Sequence, residues 1–463
     1  MTTFNQDIFR KYDIRGIAET DLNSEFVDAL GRAFGSMIKR RGGHKIAIGR
    51  DCRHSGHRLS EDFARGLLST GINVVNLGLV STPMVYFAAH TLTVDGAVSI
   101  TGSHNPSDWN GFKFCAGTAS VYGDSIQELS KMIQSSDFEL GAGTIDDLNI
   151  LPDYLNSLAS RLNPLDKPIS IVIDAGNGTG GIAAGELYRR MGATVHELYC
   201  EPDGDFPNHH PDPTVEKNLV DLTEHVRTVG ADFGIAFDGD ADRIGAIDRR
   251  GRMIWGDQLL TLFGLEILKA QPGARMVGEV KCSKVMYDTL RHAGANIEMW
   301  KVGHSLIKAR MKETGAVLAG EMSGHLFFKD RFFGFDDAVY AGGRLIELVS
   351  HSTERLDDLI DSLPQTYVTP EIRVSCSDAA KFEVTERAAT YFSERHAVSL
   401  IDGVRIEFED GWGLIRASNT QPVLVVRVEA TSESRRDHYL SKINNWLKNE
   451  APEVSLDAEG HHS

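Results

Sequence analysis

The sequence is poor in the features that mark membrane, secreted or nucleic-acid-binding chains. No run of about 18 apolar residues occurs, so no membrane-spanning helix is predicted. Residues Met1–Gly16 carry charges throughout and contain no apolar stretch of the kind a secretory leader needs. The expected compartment is therefore the cytoplasm. Five cysteines in 463 residues (Cys52, Cys115, Cys200, Cys282 and Cys376) stand singly, with no Cys-x-x-Cys pair. That pattern argues against a disulfide framework and against a zinc site. Cations are also short: 48 Lys and Arg face 65 Asp and Glu, a net charge of −17. So acidic a chain lacks the basic face that nucleic-acid phosphates require. A small phosphate ligand remains open to it, because such a ligand needs only a local group of cations. The Ala175–Gly181 loop is rich in glycine but has no Gly-Lys-Ser/Thr ending, so it reads as a structural turn opening a helix and not as a nucleotide site. No obligatory protein partner is evident.

What is present is a repeat. A chain of 463 residues is too long for one core, and three or four domains are expected. Each copy begins with a short apolar strand and continues through a helix, a second strand and a second helix. It then reaches a Gly-Ala strand that runs into a polar loop. The first copy starts at Ile46 and ends in the Ser103 loop; the second runs from Ile169 to Asp238–Arg243; the third runs from Arg275 to Gly320–His325. Such units predict three α/β domains with mixed, largely parallel sheets. In open α/β sheets ligands bind beyond the carboxyl ends of the strands, where all three loops lie. From Glu371 the pattern changes to a strand, a helix over Ala379–Arg395, two or three strands between Val404 and Ala430, and a closing helix over Arg435–Asn449. This segment reads as α+β with an antiparallel sheet. The expected domains are 1–150, 151–251, 252–363 and 364–463, with Asp457–Ser463 a polar tail.

Four loops carry chemistry. Thr101-Gly-Ser-His-Asn-Pro-Ser-Asp-Trp-Asn-Gly-Phe-Lys113 gathers turn formers after an apolar strand. The Ser103 hydroxyl, with His104 beside it, Lys113 nearby and turn N–H groups around it, suits a carrier of phosphoryl groups, since donors and cations stabilise the added charge. A plain polar strand-to-helix turn is the competing reading. Asp238-Gly-Asp-Ala-Asp-Arg243 places three carboxylates on a short loop. Within ~4 Å each pair repels by about 4 kcal/mol at an effective dielectric of 20, a cost that a divalent cation removes. An EF-hand is excluded, because its sixth and twelfth positions hold Arg243 and Arg249 in place of Gly and Glu. Mg²⁺ with an added phosphate oxygen fits this oxygen set. Gly320-Glu-Met-Ser-Gly-His325 offers a carboxylate, a hydroxyl and an imidazole for sugar hydroxyls. Trp412-Gly-Leu-Ile-Arg-Ala-Ser-Asn-Thr420 sets Arg416 ahead of Ser418, Asn419 and Thr420, a phosphate cradle. Phe9-Arg-Lys-Tyr-Asp-Ile-Arg-Gly16 reads on its own as an ordered N-terminal arm.

Together, and in this order along nearly the whole chain, these motifs resemble those of the α-D-phosphohexomutases, most closely the bacterial phosphomannomutase/phosphoglucomutases. Met322, and Trp300-Lys-Val-Gly-His-Ser-Leu-Ile307 ahead of it, are similar to members that take both mannose and glucose phosphates; phosphoglucosamine mutases usually carry Gln at the Met322 position. Ser107, Trp109 and Gln421 depart from the commonest pattern. The resemblance implies four domains around a central cleft, the last similar to the TATA-binding-protein fold. It implies reversible phosphate transfer between O1 and O6 of mannose and glucose phosphates, through a phosphoserine at Ser103 and a hexose 1,6-bisphosphate. It assigns Ser103, Asp238, Asp240 and Asp242 to Mg²⁺, and Lys113, Arg15, His104, Arg243 and His325 to the reacting centre. Lys113, Arg15 and His325 are its candidates for the general base. Tyr12, Lys281, His304, Glu321, Ser323, His325, Arg416, Ser418, Asn419 and Thr420 are assigned to the hexose phosphate. The implied activator is glucose 1,6-bisphosphate or mannose 1,6-bisphosphate. Competing readings are the same chemistry on glucosamine phosphate, a metal-dependent sugar phosphatase with Ser103 as nucleophile, and a catalytically silent sugar-phosphate binder. The last is disfavoured because Ser103 and all three aspartates are present.

Overall fold

A computed structural model of the chain describes residues 4–377, 379–418, 422–451 and 454. Asn419, Thr420, Gln421 and the Asp457–Ser463 tail lie outside the described residues. The described residues form four sheets. In the first the strand order is Ile14–Ile17, Trp109–Ala116, Gly96–Ile100, Lys45–Arg50, Asn73–Leu79 and Ile145–Asp147. Lys45–Arg50 pairs in parallel with both neighbours, as strand–helix–strand connections require. The helices come from amphipathic segments. Ser24–Arg40, capped by the Asn23 side chain accepting from the Phe26 N–H at 3.0 Å, buries Phe26, Val27, Leu30, Phe34, Met37 and Ile38.

The second and third sheets repeat the plan. Ser170–Asp174 lies between Thr194–Leu198 and Phe233–Phe237, parallel to both. Arg275–Glu279 lies between Asn296–Trp300 and Leu318–Gly320, again parallel to both. In every copy the strand leading into the chemical loop returns as its own antiparallel neighbour. Gly96–Ile100 pairs with Trp109–Ala116, Phe233–Phe237 with Ile244–Asp248, and Leu318–Gly320 with Leu326–Phe328. The loops are hairpin tips, so the strand-to-helix turn that competed as a reading at Ser103 is replaced by a strand-to-strand return. The alternation after the loop explains it. Phe112 and Phe114 enter the core of the first domain, and the two-residue period turns Lys113 to the opposite face.

The first three domains share apolar packing. The helix Thr82–Thr91 is buried from Thr82 to Ala89 and joins a cluster that continues through Tyr154, Ile171, Phe263 and Leu345. The last domain keeps its own cluster under a six-stranded sheet whose pairs are all antiparallel, packed against Ala380–Ser393 and Glu433–Glu450. Among the described residues no helix is long and apolar enough to cross a membrane.

Candidate active site

Ser103 sits at the first hairpin tip with φ +50°, a left-handed conformation that serine rarely adopts. It is 4% exposed; its hydroxyl donates to Asp238 Oδ2 at 2.9 Å and lies 3.1 Å from His104 Nδ1. The tip is held by Arg53, which sequence reasoning missed. The buried Arg53 guanidinium donates to the carbonyl oxygens of Ser103 (2.9 Å), Asn105 (2.5 Å), Trp109 (3.0 Å) and Pro106. Its Nε donates to Asp51 Oδ2 at 3.2 Å, and the same oxygen accepts the Gly102 N–H at 3.0 Å. A rigid five-donor fork suits a loop of convergent carbonyls.

The three tips meet backbone to backbone. A Cβ at Gly239 would fall 2.5 Å from the Ser103 carbonyl oxygen, and one at Gly324 would fall 2.2 Å from that of Ile244. Only glycine permits this approach. Gly239→Ala is expected to cost about 1–3 kcal/mol of stability and to lower kcat/KM by separating Ser103 from Asp238. Thermal unfolding and a steady-state assay check both effects. Thr82 ties the first domain to the second: its N–H donates to the Asp240 carbonyl at 3.0 Å and its hydroxyl to Asp240 Oδ2 at 2.6 Å.

Asp238, Asp240 and Asp242 are fully buried, and each offers a carboxylate oxygen within 4.8 Å of the others. Lys113 Nζ bridges Asp240 Oδ2 at 2.7 Å and Asp242 Oδ2 at 2.5 Å, and Arg243 Nε donates to Asp238 Oδ2 at 3.1 Å. Two cations thus face three carboxylates. Burial, with Asp242 and Asp240 beside it, pushes the Asp238 carboxyl up to about 7. Burial acts the same way on Asp240, but Lys113 outweighs it and holds that carboxyl below its ordinary value. Lys113 in turn is held above its ordinary value by Asp240 and Asp242, although burial opposes its charge. Asp240 Oδ1 and Asp242 Oδ1 have no hydrogen-bond partner. Three hard oxygen donors, a deficit of positive charge and two unpartnered acceptors fit a divalent cation.

On the third tip, His325 Nδ1 lies 3.0 Å from Asp336 Oδ2 and 3.7 Å from Asp242 Oδ1, while Nε2 lies 3.9 Å from Glu321 Oε2. Burial disfavours a charged His325, yet Asp242 and the Asp336 hydrogen bond raise its pKa. His304 stacks on it, ring centroids 5.5 Å apart at 15°. There burial, reinforced by Lys308, drives the pKa well below the ordinary value, and His104 is driven down by burial and Arg243. At both rings desolvation exceeds the pull of nearby carboxylates and disfavours the charged form. Ser323 lies half-buried on the same tip. Arg15 joins this centre, with Nη1 donating to Asn105 Oδ1 at 3.1 Å and Nη2 to Asp13 Oδ2 at 2.5 Å.

A second group lies against the last domain. Arg416, 5% exposed, donates through Nε to Asp402 Oδ2 at 2.9 Å. Ser418 is buried, and its N–H donates to the Val423 carbonyl at 3.0 Å. Lys281 Nζ lies 3.3 Å from Glu371 Oε2 and holds that carboxyl down to about 2. The Tyr12 hydroxyl donates to the Val302 carbonyl at 2.7 Å. Apart from Asn419 and Thr420, which lie outside the described residues, the residues singled out from sequence fall into two groups, one around Ser103 and one around Arg416.

Four family models match the chain in sequence order. The phosphoglucomutase/phosphomannomutase alpha/beta/alpha domain I covers residues 6–140, domain II 152–251, domain III 255–367 and the C-terminal domain 371–445. The chain belongs to this family. Among similar proteins, a phosphoglucomutase of Neisseria gonorrhoeae is 44% identical over 453 residues, 97% of each chain. A phosphomannomutase/phosphoglucomutase of Pseudomonas aeruginosa is 42% identical over 448 residues, 96% of each. The crystal structure of a phosphoglucomutase/phosphomannomutase family protein from Burkholderia thailandensis matches with a TM-score of 0.91 at 41% identity, covering 96% of this chain and 98% of the other.

In this phosphohexomutase the supporting residues are those that sequence reasoning passed over. Asp336 is fully buried; its Oδ1 accepts from Lys308 Nζ at 2.9 Å while Oδ2 faces His325. A signal for it exists in Gly334-Phe-Asp-Asp337, where two acids close an aromatic run, a poor place for charge unless it is paired. Asp212, 3.5 Å from Arg243 Nη1, and Arg53 carry no such local mark.

Proposed function

We propose that this phosphohexomutase moves a phosphoryl group reversibly between O1 and O6 of mannose and glucose phosphates, through phosphorylated Ser103 and a hexose 1,6-bisphosphate. The observation that carries this reading is a set of buried polar atoms without hydrogen-bond partners on the second tip, on the Ile14–Ile17 strand and at the start of the helix His304–Thr314. They are Arg15 Nε, Arg243 Nη2, His304 Nδ1, Asp240 Oδ1 and Asp242 Oδ1. Buried groups of this kind are costly when left alone. A cation beside a phosphoryl group supplies partners of both signs. The names of the relatives support the mannose and glucose pair, and a cytoplasmic location belongs to the same reading.

Phosphoryl transfer is chiefly positioning and charge stabilisation. Arg15 and Arg243 neutralise the transferring group, and Lys113 holds Asp240 and Asp242 in register. Mg²⁺, held by Asp238, Asp240, Asp242 and the Ser103 oxygen, would supply Lewis-acid stabilisation of the phosphoryl oxygens. Of the three candidates for the general base, an arginine does not deprotonate in proteins, and two carboxylates secure the Lys113 ammonium. His325 is left: burial opposes its charge, Asp242 and the Asp336 hydrogen bond raise its pKa, and its Nε2 lies 3.9 Å from Glu321 Oε2. Glu321 and Ser323 take sugar hydroxyls. Arg416 and Ser418, with Asn419, Thr420, Lys281 and Tyr12, hold the non-reacting phosphate. Glucose 1,6-bisphosphate or mannose 1,6-bisphosphate loads Ser103.

Arg416→Ala is expected to raise KM for hexose phosphates by about 10- to 100-fold with a smaller change in kcat. An unchanged KM would remove the anchor role. The activity itself is tested by ³¹P NMR of the 1-phosphates of mannose, glucose and glucosamine, with Mg²⁺ and a trace of glucose 1,6-bisphosphate. Comparable 6-phosphate formation from mannose and glucose is the expected result. A strong preference for glucosamine phosphate would move the enzyme to that sister activity.

A further inference from the structure

The two groups of site residues are joined through one turn of the third domain. Val302 and Gly303 carry successive backbone N–H groups, and each serves a different carboxylate. The Val302 N–H donates to Asp402 Oδ2 of the last domain at 3.0 Å, and the Gly303 N–H donates to Glu321 Oε1 of the sugar loop at 2.6 Å. The Val302 carbonyl accepts from Tyr12 of the first domain at 2.7 Å. Gly303 has φ +128°, and a Cβ there would fall 2.5 Å from the Tyr12 ring, so the turn admits no side chain. Asp402 Oδ2 also accepts from Arg416 Nε, at 2.9 Å.

Asp402 is one of several contacts that dock the last domain on the third. Arg405 Nη1 donates to the carbonyls of Val280 (2.6 Å) and Cys282 (2.8 Å), and the Ser283 hydroxyl donates to Glu429 Oε1 at 2.9 Å. Val280, Trp412 and Leu414 pack together across the same interface. What Asp402 adds is aim. An arginine gripped at Nε still presents its Nη pair to a further oxygen ligand. We propose that Asp402 is a positioning residue: it fixes Arg416 through Nε and, through the Val302–Gly303 turn, sets the phosphate clamp at a constant separation from Glu321. A hexose phosphate is then gripped at phosphate and sugar as one unit. This rests on the reading of Arg416 as the phosphate anchor.

The test is a double-mutant cycle on the full-length enzyme, with glucose 1-phosphate as substrate. Asp402→Ala is expected to raise KM at least about tenfold, since a hydrogen bond to a charged group is lost, while kcat stays within about threefold. Asp402→Asn, which keeps a neutral acceptor of the same shape, is expected to recover part of the loss. In an Arg416→Ala background, Asp402→Ala is expected to cost little more, because its effect runs through Arg416. Equal penalties in both backgrounds would overturn the proposal and show Asp402 to be interdomain glue alone. An unchanged KM in Asp402→Ala would overturn it as well. Should Arg416→Ala itself leave KM unchanged, the anchor reading fails, a result distinct from additivity on top of a large Arg416 effect. If Asp402→Ala does not fold, the Asn variant carries the same cycle.

Discussion

Ser103→Ala is expected to lower kcat by about a thousandfold or more while binding glucose 6-phosphate within about threefold of the native affinity. The hydroxyl is the atom that carries the phosphoryl group in this account, and no neighbouring side chain replaces it. Lys113 is locked between two carboxylates. The shape of the loop depends little on Oγ. Arg53 holds the Ser103, Asn105 and Trp109 carbonyls, and the Ser103 N–H donates to Thr101 Oγ1 at 2.8 Å. Asp238 loses one donor, but Oδ2 keeps Arg243 Nε and Oδ1 keeps the N–H groups of Asp242 and Arg243. The cost in stability is therefore about 1 kcal/mol. Titration calorimetry and a coupled assay measure the two effects. Residual activity near the native level would take Ser103 out of the mechanism.

Lys113→Met should be the most destabilising change at the site, and its size should depend on metal. Lys113 is the ammonium between Asp240 and Asp242; both carboxylates are fully buried, and each already has one unpartnered oxygen. Removing one partner of a buried ion pair costs about 3–5 kcal/mol. A divalent cation bound to the same carboxylates offsets part of that loss, so the variant is expected to regain stability on adding Mg²⁺ by more than the native enzyme does. Calorimetric melting in chelator and in Mg²⁺ reads the difference. Equal losses in both conditions would separate the aspartates from metal binding. The same cluster gives the metal-free enzyme a pH dependence. The Asp238 carboxyl is pushed from 3.8 up to about 7 by burial and by Asp242 and Asp240. Between those values the folded state binds more protons than the unfolded chain, so this contribution to stability falls as pH rises through that window.

The repeat, the four loops and the change of architecture near Glu371 are legible in sequence because each is local. Turn formers, apolar runs and carboxylate spacing sit within a few residues of one another. The hairpin return after each loop was less visible, since Phe112-Lys113-Phe114 alternates over too few residues to separate a strand from the start of a helix. Arg53 was invisible for a different reason. Its carbonyl partners lie about fifty residues away and have no side-chain signature. Asp402 meets Val302 across 100 residues of chain, through a backbone N–H that any residue but proline would supply. The lowered pKa of His104 and His304 follows from burial, which composition does not report. Residue types therefore pointed to the candidate groups, and tertiary packing shows what holds them in place.

The most direct test of the account is a single turnover with enzyme labelled with ³²P on Ser103. The labelled enzyme is mixed with glucose 1-phosphate and Mg²⁺, then quenched. The account predicts that the label leaves Ser103 for O6 of the sugar and appears in glucose 1,6-bisphosphate and glucose 6-phosphate. Label recovered as inorganic phosphate, with no labelled sugar, would contradict it and make the enzyme a phosphatase.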